Sequence, residues 1–111
     1  MDLRHLRYFV ALAEERHFGR AAARLQISQP PLTRQIRQLE EYLGLQLVIR
    51  TPKGADLTSA GETFYTEARH LLRTADTVVE RTRQASRGEI GRLDVGAFGS
   101  PLLKFVPSLV S

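Results

Sequence analysis

Gln29, Thr33 and Arg34 lie close together beside two consecutive prolines, Pro30 and Pro31. Their chemistry is that of base reading. A Gln amide can pair with an adenine edge, an Arg fork with guanine, and a Thr methyl with the methyl of thymine. The prolines stiffen the segment and offer further apolar contact. Around this group stand Ser28, Arg37, Arg50, Thr51 and Lys53, whose groups suit phosphate oxygens. Such contacts fix register and carry no sequence information directly. A solvated surface is the plain alternative for any Arg, and it suits Arg69, Arg73, Arg81 and Arg83 better than Arg34. Other chemistries lack their residues. With no cysteine there is no thiol nucleophile, disulfide or cysteine zinc site. His5, His17 and His70 share no metal-ligand spacing, and no Gly-rich phosphate loop or Ser/His/acid set appears. No catalytic residue, metal site or cofactor is expected, and the chain reads as a non-enzyme.

Charge points the same way. The 111 residues carry a formal net charge of +4. Arg16, Arg20, Arg24, Arg34, Arg37, Arg50 and Lys53 face only Glu40 and Glu41 within residues 16–53, so nearly the whole excess sits there. A concentrated basic stretch favours a polyanion partner. The chain is 42% hydrophobic, too apolar for a disordered tail. It has no apolar run near the ~18 residues a membrane span needs, and no secretory leader pattern. A cytoplasmic protein without a membrane partner is expected.

These side chains need elements to hold them. Leu3, Leu6, Val10 and Ala13, widened by Phe9 and Leu12, predict a helix over residues 2–16 with Asp2 as its N-cap. Phe18, Ala21, Ala22 and Leu25 predict a short second helix over 18–25. After Gln26 and Ile27, Ser28 is the expected N-cap of a third helix running to about Leu43. Pro30 and Pro31 fall in its first turn, where the N–H groups have no intrahelical partner. Leu32, Ile36, Leu39 and Leu43 mark its buried side, and Gly44 its end. Two helices joined by a tight break, the second polar outside, describe a helix-turn-helix. In residues 45–58, Leu45, Leu47 and Ile49 alternate before Thr51-Pro52-Lys53-Gly54, predicting a small hairpin with a basic tip.

A long helix is predicted over 59–87, opened by a Ser59–Glu62 capping box. Phe64, Ala68, Leu71, Ala75, Val78 and Thr82 step by fours and threes, with Leu72 and Val79 beside them. This is a heptad seam on a helix about 43 Å long. Its economical partner is its own copy, so Phe64, Ala68, Leu71, Leu72, Ala75, Val78 and Val79 are expected to form a homodimer seam; a helix folded back on the N-terminal domain is the alternative. Gly88 and Gly91 then punctuate. A strand over 92–98, a turn at Gly99-Ser100-Pro101 and a helix-like run over 102–110 look like the first βα piece of another domain.

On these motifs the chain resembles the LysR-type bacterial transcriptional regulators. The resemblance covers essentially residues 1–88. It rests on Leu3-Arg4-His5-Leu6 with Phe9, on Phe18 with Ala21-Ala22-Ala23-Arg24-Leu25, and on Ile27-Ser28-Gln29-Pro30-Pro31-Leu32-Thr33-Arg34-Gln35-Ile36. It continues through Leu39-Glu40-Glu41-Tyr42-Leu43-Gly44, Arg50-Thr51 and Leu57-Thr58-Ser59-Ala60-Gly61. Ile49 stands where the family pattern often has an acid, and Pro52 where it often has Gly or a polar residue. The resemblance implies a mainly α fold: a winged helix-turn-helix (residues 1–58), a dimerising linker helix (59–87), and a hinge with a truncated start of an α/β sensor domain (88–111). It implies that Gln29, Pro30, Thr33 and Arg34 read the groove and that Arg50, Thr51 and Lys53 form the wing. The implied partners are double-stranded promoter or operator DNA, a second copy of the chain, and in an intact protein a small-molecule inducer and further pairing into a tetramer. Ser100 resembles a loop position that touches effectors in some relatives. An architectural protein coating DNA without sequence preference is the competing reading, and the Gln- and Thr-bearing third helix argues for the sequence-specific one.

Overall fold

The computed structural model describes residues 1–91. The strand expected over 92–98, the turn with Ser100 and the run over 102–110 lie outside the described residues. The described order is α1 (Leu3–Glu15), α2 (Phe18–Leu25), α3 (Gln29–Leu43), β1 (Val48–Thr51), β2 (Gly54–Leu57) and α4 (Ser59–Gly91). The fold is mainly helical with one small hairpin, as the sequence predicts.

Each helix boundary has a local cause. Asp2 caps α1 by accepting from the His5 N–H at 3.1 Å, and the His5 ring accepts from the Asp2 N–H at 3.2 Å, a reciprocal box. Arg16 ends α1 in the left-handed region at φ 55°. His17 starts α2: its Nδ1 accepts from the Arg20 N–H at 3.1 Å. Gln26, at φ 60°, closes α2 with its N–H on the Ala23 carbonyl, and the Ile27 N–H reaches the Ala22 carbonyl. Ser28 occupies the cap position of α3 with extended backbone, but its side chain makes no capping bond. Gly44 ends α3 at φ 73°, where an L side chain is strained.

Three expectations about the elements after α3 are corrected. The strand alternation proposed for Leu45, Leu47 and Ile49 fails because β1 begins only at Val48. Leu47 and Val48 are both buried, while Leu45 and Ile49 are exposed. The start of α4 is capped one residue early. Thr58 Oγ1 accepts from the Gly61 N–H at 2.9 Å, and the Thr58 carbonyl accepts from the Glu62 N–H. The Ser59–Glu62 box therefore does not form. Nor does α4 stop at residue 87; it passes Gly88 and runs to Gly91, since one helical Gly costs only about 1 kcal/mol relative to Ala.

The first compact unit, Met1–Thr74, is built around α1. Phe9, Leu12, Leu32, Leu39 and Leu47 are fully buried at its centre, each worth about 2 kcal/mol against exposure. The other side of α1, Leu6 and Val10, packs on Ala68 of α4. Phe9 meets Phe64 edge-on at 5.3 Å. Leu3, expected in the buried stripe, is exposed. Of the residues expected in a dimer seam, Ala68, only 2% exposed, lies in this single-chain core, and Phe64 packs half-buried against it. Close backbone approach fixes where α4 starts: a Cβ on Gly61 would stand 2.1 Å from the Leu47 carbonyl oxygen. The remainder of α4 belongs to a second unit beginning at Ala75. There Val78 and Val79 are exposed.

Candidate nucleic-acid interface

The outer face of α3 follows from helical spacing. Leu32, Ile36 and Leu39 anchor one side in the core, which turns the intervening residues outward. Gln29, Pro30, Thr33, Arg34, Arg37 and Gln38, with Glu41 further along, line one open groove. Five of these six leading residues are sequence-predicted contacts; Gln38 and Glu41 are not. Ser28 is exposed at the helix start, and Pro31 is half-buried; neither lines the groove.

The hairpin pairs antiparallel, Val48 with Leu57 through Thr51 with Gly54, leaving Pro52 and Lys53 at its tip. A two-stranded hairpin is marginal alone, so other groups must hold it. Glu40 does so from α3: its Oε2 accepts from the N–H groups of Leu47 and Val48 at 2.8 and 3.1 Å. Thr58 does so from behind, donating to the Gln46 carbonyl at 2.8 Å. At the far end the Ala55 N–H donates to the Arg16 carbonyl at 3.0 Å, and the Arg16 guanidinium lies 3.5 Å from the Asp56 carboxylate. Gly54 permits this approach. Its φ is 143°, and a Cβ there would stand 2.3 Å from the Arg16 oxygen. Sequence reasoning missed these roles for Glu40, Arg16 and Thr58. A carboxylate accepting from a loop several residues away has no spacing signature.

The structure also divides the predicted wing residues. Arg50 turns toward α3: its Nη2 donates to Thr33 Oγ1 at 3.2 Å, and its guanidinium carbon lies 3.8 Å from the Phe18 ring centroid. Thr51 and Lys53 line a separate recess with Arg16, Arg20, Pro52 and Asp56. Arg20 was not predicted there.

Charge pairing separates two classes of Arg. Arg24 bridges Glu14 and Glu15 at 2.7 and 3.2 Å, and Arg16, Arg20 and Arg69 each lie within 4 Å of a carboxylate. Arg34, Arg37, Arg50 and Lys53 have no such partner among the described residues. Unpaired cations beside polar side chains form a surface suited to an anion with readable edges. Among the described residues no helix is long and apolar enough to cross a membrane, and no group of three or more His, Asp or Glu could hold a metal ion.

Similarity to known proteins agrees with this geometry. Residues 3–62 match the family described as "Bacterial regulatory helix-turn-helix protein, lysR family". The chain is 53% identical over 110 residues to the HTH-type transcriptional regulator TfdS of Cupriavidus pinatubonensis, covering 99% of this chain and 37% of that protein. The chain thus spans little more than a third of that relative's length. Among solved structures, the BenM DNA-binding domain in complex with benA site 1 DNA superposes with TM-score 0.76 at 49% identity, covering 79% of this chain and 99% of that one. The CbnR DNA-binding domain in complex with DNA gives TM-score 0.75 at 44% identity over 78% and 99%. A family match across more than half the chain, with whole-domain superposition at this identity, places the chain in the lysR family of bacterial regulatory helix-turn-helix proteins.

Proposed function

We propose that the chain binds double-stranded DNA with sequence specificity, with α3 in the major groove and the hairpin on the backbone. The observation that carries this is the α3 groove, where unpaired Arg34 and Arg37 share one face with Gln29 and Thr33. A major groove admits one helix, and its N-terminal turns reach base edges. Gln29, Thr33 and Arg34 are assigned to bases, with Pro30 and Pro31 adding apolar contact. Ser28, Arg37, Arg50, Thr51 and Lys53 are assigned to phosphates. The solved complexes of similar domains with DNA support the reading.

The chain acts as a homodimer through the exposed apolar residues of α4, in the cytoplasm, as part of a regulator whose intact form responds to a small-molecule inducer. It does not act as an enzyme. The family relationship and the heptad spacing of α4 support these assignments.

The test is selection from random duplex DNA followed by competition. Arg34→Ala is expected to cost about 1–3 kcal/mol on the enriched sequence and relax preference at one base pair. Equal loss on random DNA removes Arg34 from base reading. Similar affinity of the wild-type chain for every duplex favours an architectural protein instead.

A further inference from the structure

The recess at the hairpin tip gathers more positive charge than its own carboxylate can balance. Arg16, Arg20 and Lys53 line it together with Thr51 and one acid, Asp56. Asp56 lies 3.5 Å from Arg16, whose Nε also donates to the Ala13 carbonyl at 2.9 Å, so Arg16 is tied on two sides. Lys53 has no carboxylate partner among the described residues. Arg20 has only a loose one: its Nε stands 3.9 Å from Glu15, which Arg24 holds at 3.2 Å. Its Nη2 donates to the Glu15 carbonyl at 3.2 Å, and its other guanidinium donors have no partner among the described residues. Nor does Arg20 serve its own helix. It stands in the first turn of α2, the end at which the helix dipole disfavours a cation. The hairpin is held against this turn by the Ala55–Arg16 backbone bond, which Gly54 permits.

We propose that Arg20 is a further DNA-backbone ligand, and that with Lys53 and Thr51 of the hairpin tip it grips one short run of phosphates. The proposal rests on the DNA-binding reading and adds α2 to the elements that hold the duplex. A phosphate offers oxygens that an Arg fork, a Lys ammonium and a Thr hydroxyl can each donate to. Arg16 adds positive field from the floor of the recess without giving up its own bonds. Contacts of this kind fix the protein's register on the duplex and carry no base preference of their own. The recess therefore anchors the hairpin and α2 to the same stretch of backbone, and base reading stays with α3.

The experiment measures affinity against salt for the wild-type chain, Arg20→Gln and Arg69→Gln, on a selected duplex and on a random one. Arg69 is the matched control: it also stands 3.9 Å from a carboxylate, that of Glu14, and it does not line the recess. Arg20 is 63% exposed, so its loss leaves the core untouched. Arg20→Gln is expected to weaken binding to both duplexes alike and to lower the salt slope by about 1. Its deficit then shrinks about fourfold as salt rises from about 50 to about 200 mM. Arg69→Gln is expected to keep the wild-type slope. Backbone phosphates of the selected duplex are next replaced one at a time by uncharged methylphosphonates. The wild-type chain loses affinity at each phosphate it holds. Arg20→Gln is expected to be indifferent at one of these, at or next to the one where Lys53→Gln is indifferent. An unchanged slope for Arg20→Gln, or an equal drop for Arg69→Gln, overturns the proposal. So do indifferent positions several nucleotides apart for Arg20→Gln and Lys53→Gln. A wild-type chain that binds neither duplex overturns the DNA reading and this proposal with it.

Discussion

Glu14 is where three helices meet through side chains. The Tyr65 hydroxyl of α4 donates to its Oε2 at 2.7 Å, and Arg24 of α2 donates to its Oε1 at 2.7 Å. The hydrogen bond from Tyr65, followed by Arg24 and Arg69, holds the Glu14 carboxyl below its ordinary value, and the same bond raises the Tyr65 phenol. A carboxylate lowered by folding stabilises the fold above its ordinary pKa. That contribution is lost as pH falls through the lowered value. Tyr65→Phe removes the largest cause. We expect it to lower stability by about 1 kcal/mol near neutral pH, a modest figure because the Glu14 side chain is 31% exposed. Thermal melts of the two proteins should converge as pH falls below the ordinary carboxyl range. A constant gap across that window would show that Tyr65 acts through packing alone. The individual charges were legible in the sequence, but this junction was not, because Glu14 and Tyr65 are 51 positions apart.

Among the elements, the hairpin depends most on its neighbours. It meets the α1–α2 turn through one backbone bond, Ala55 to Arg16, at a glycine with φ 143°. Gly54→Ala places a Cβ against the Arg16 carbonyl and forces a residue with a side chain into a region it rarely adopts. We expect a loss of about 2–3 kcal/mol, with faster amide exchange at Ala55, measured by denaturant melts and hydrogen exchange. Wild-type protection at Ala55 in that variant would mean the hairpin holds its place without this contact. The helices themselves were readable from apolar spacing and from Gly44. The caps were read less well: Thr58 rather than Ser59 starts α4, because the Thr58 hydroxyl both donates to the Gln46 carbonyl and accepts from the Gly61 N–H. The Ser59–Glu62 spacing satisfied a pattern that tertiary contact overrode.

At the scale of the whole molecule, the apolar seam read along α4 serves two purposes. Phe64 and Ala68 close the core against α1. Leu71 in the first unit, and Val78 and Val79 in the second, stay exposed. Exposed apolar side chains on a long helix invite a partner, and the homodimer proposed above supplies one. Leu71→Glu should leave the melting behaviour of the Met1–Thr74 unit close to wild type, since Leu71 is 45% exposed, and should shift sedimentation from dimer to monomer. A dimer that survives the substitution removes Leu71 from the interface. The sequence by itself determined the helices, the polar face of α3 and the basic stretch around it, because apolar period, glycine punctuation and charge are local properties of the chain. The tertiary structure alone decided which of those residues act together. It sent Arg50 to Thr33 and Phe18 but Thr51 and Lys53 to another recess, and it took Ala68 into the core with Phe64 half-buried against it. Those outcomes depend on backbone approach and burial between segments far apart in sequence, which no spacing rule encodes.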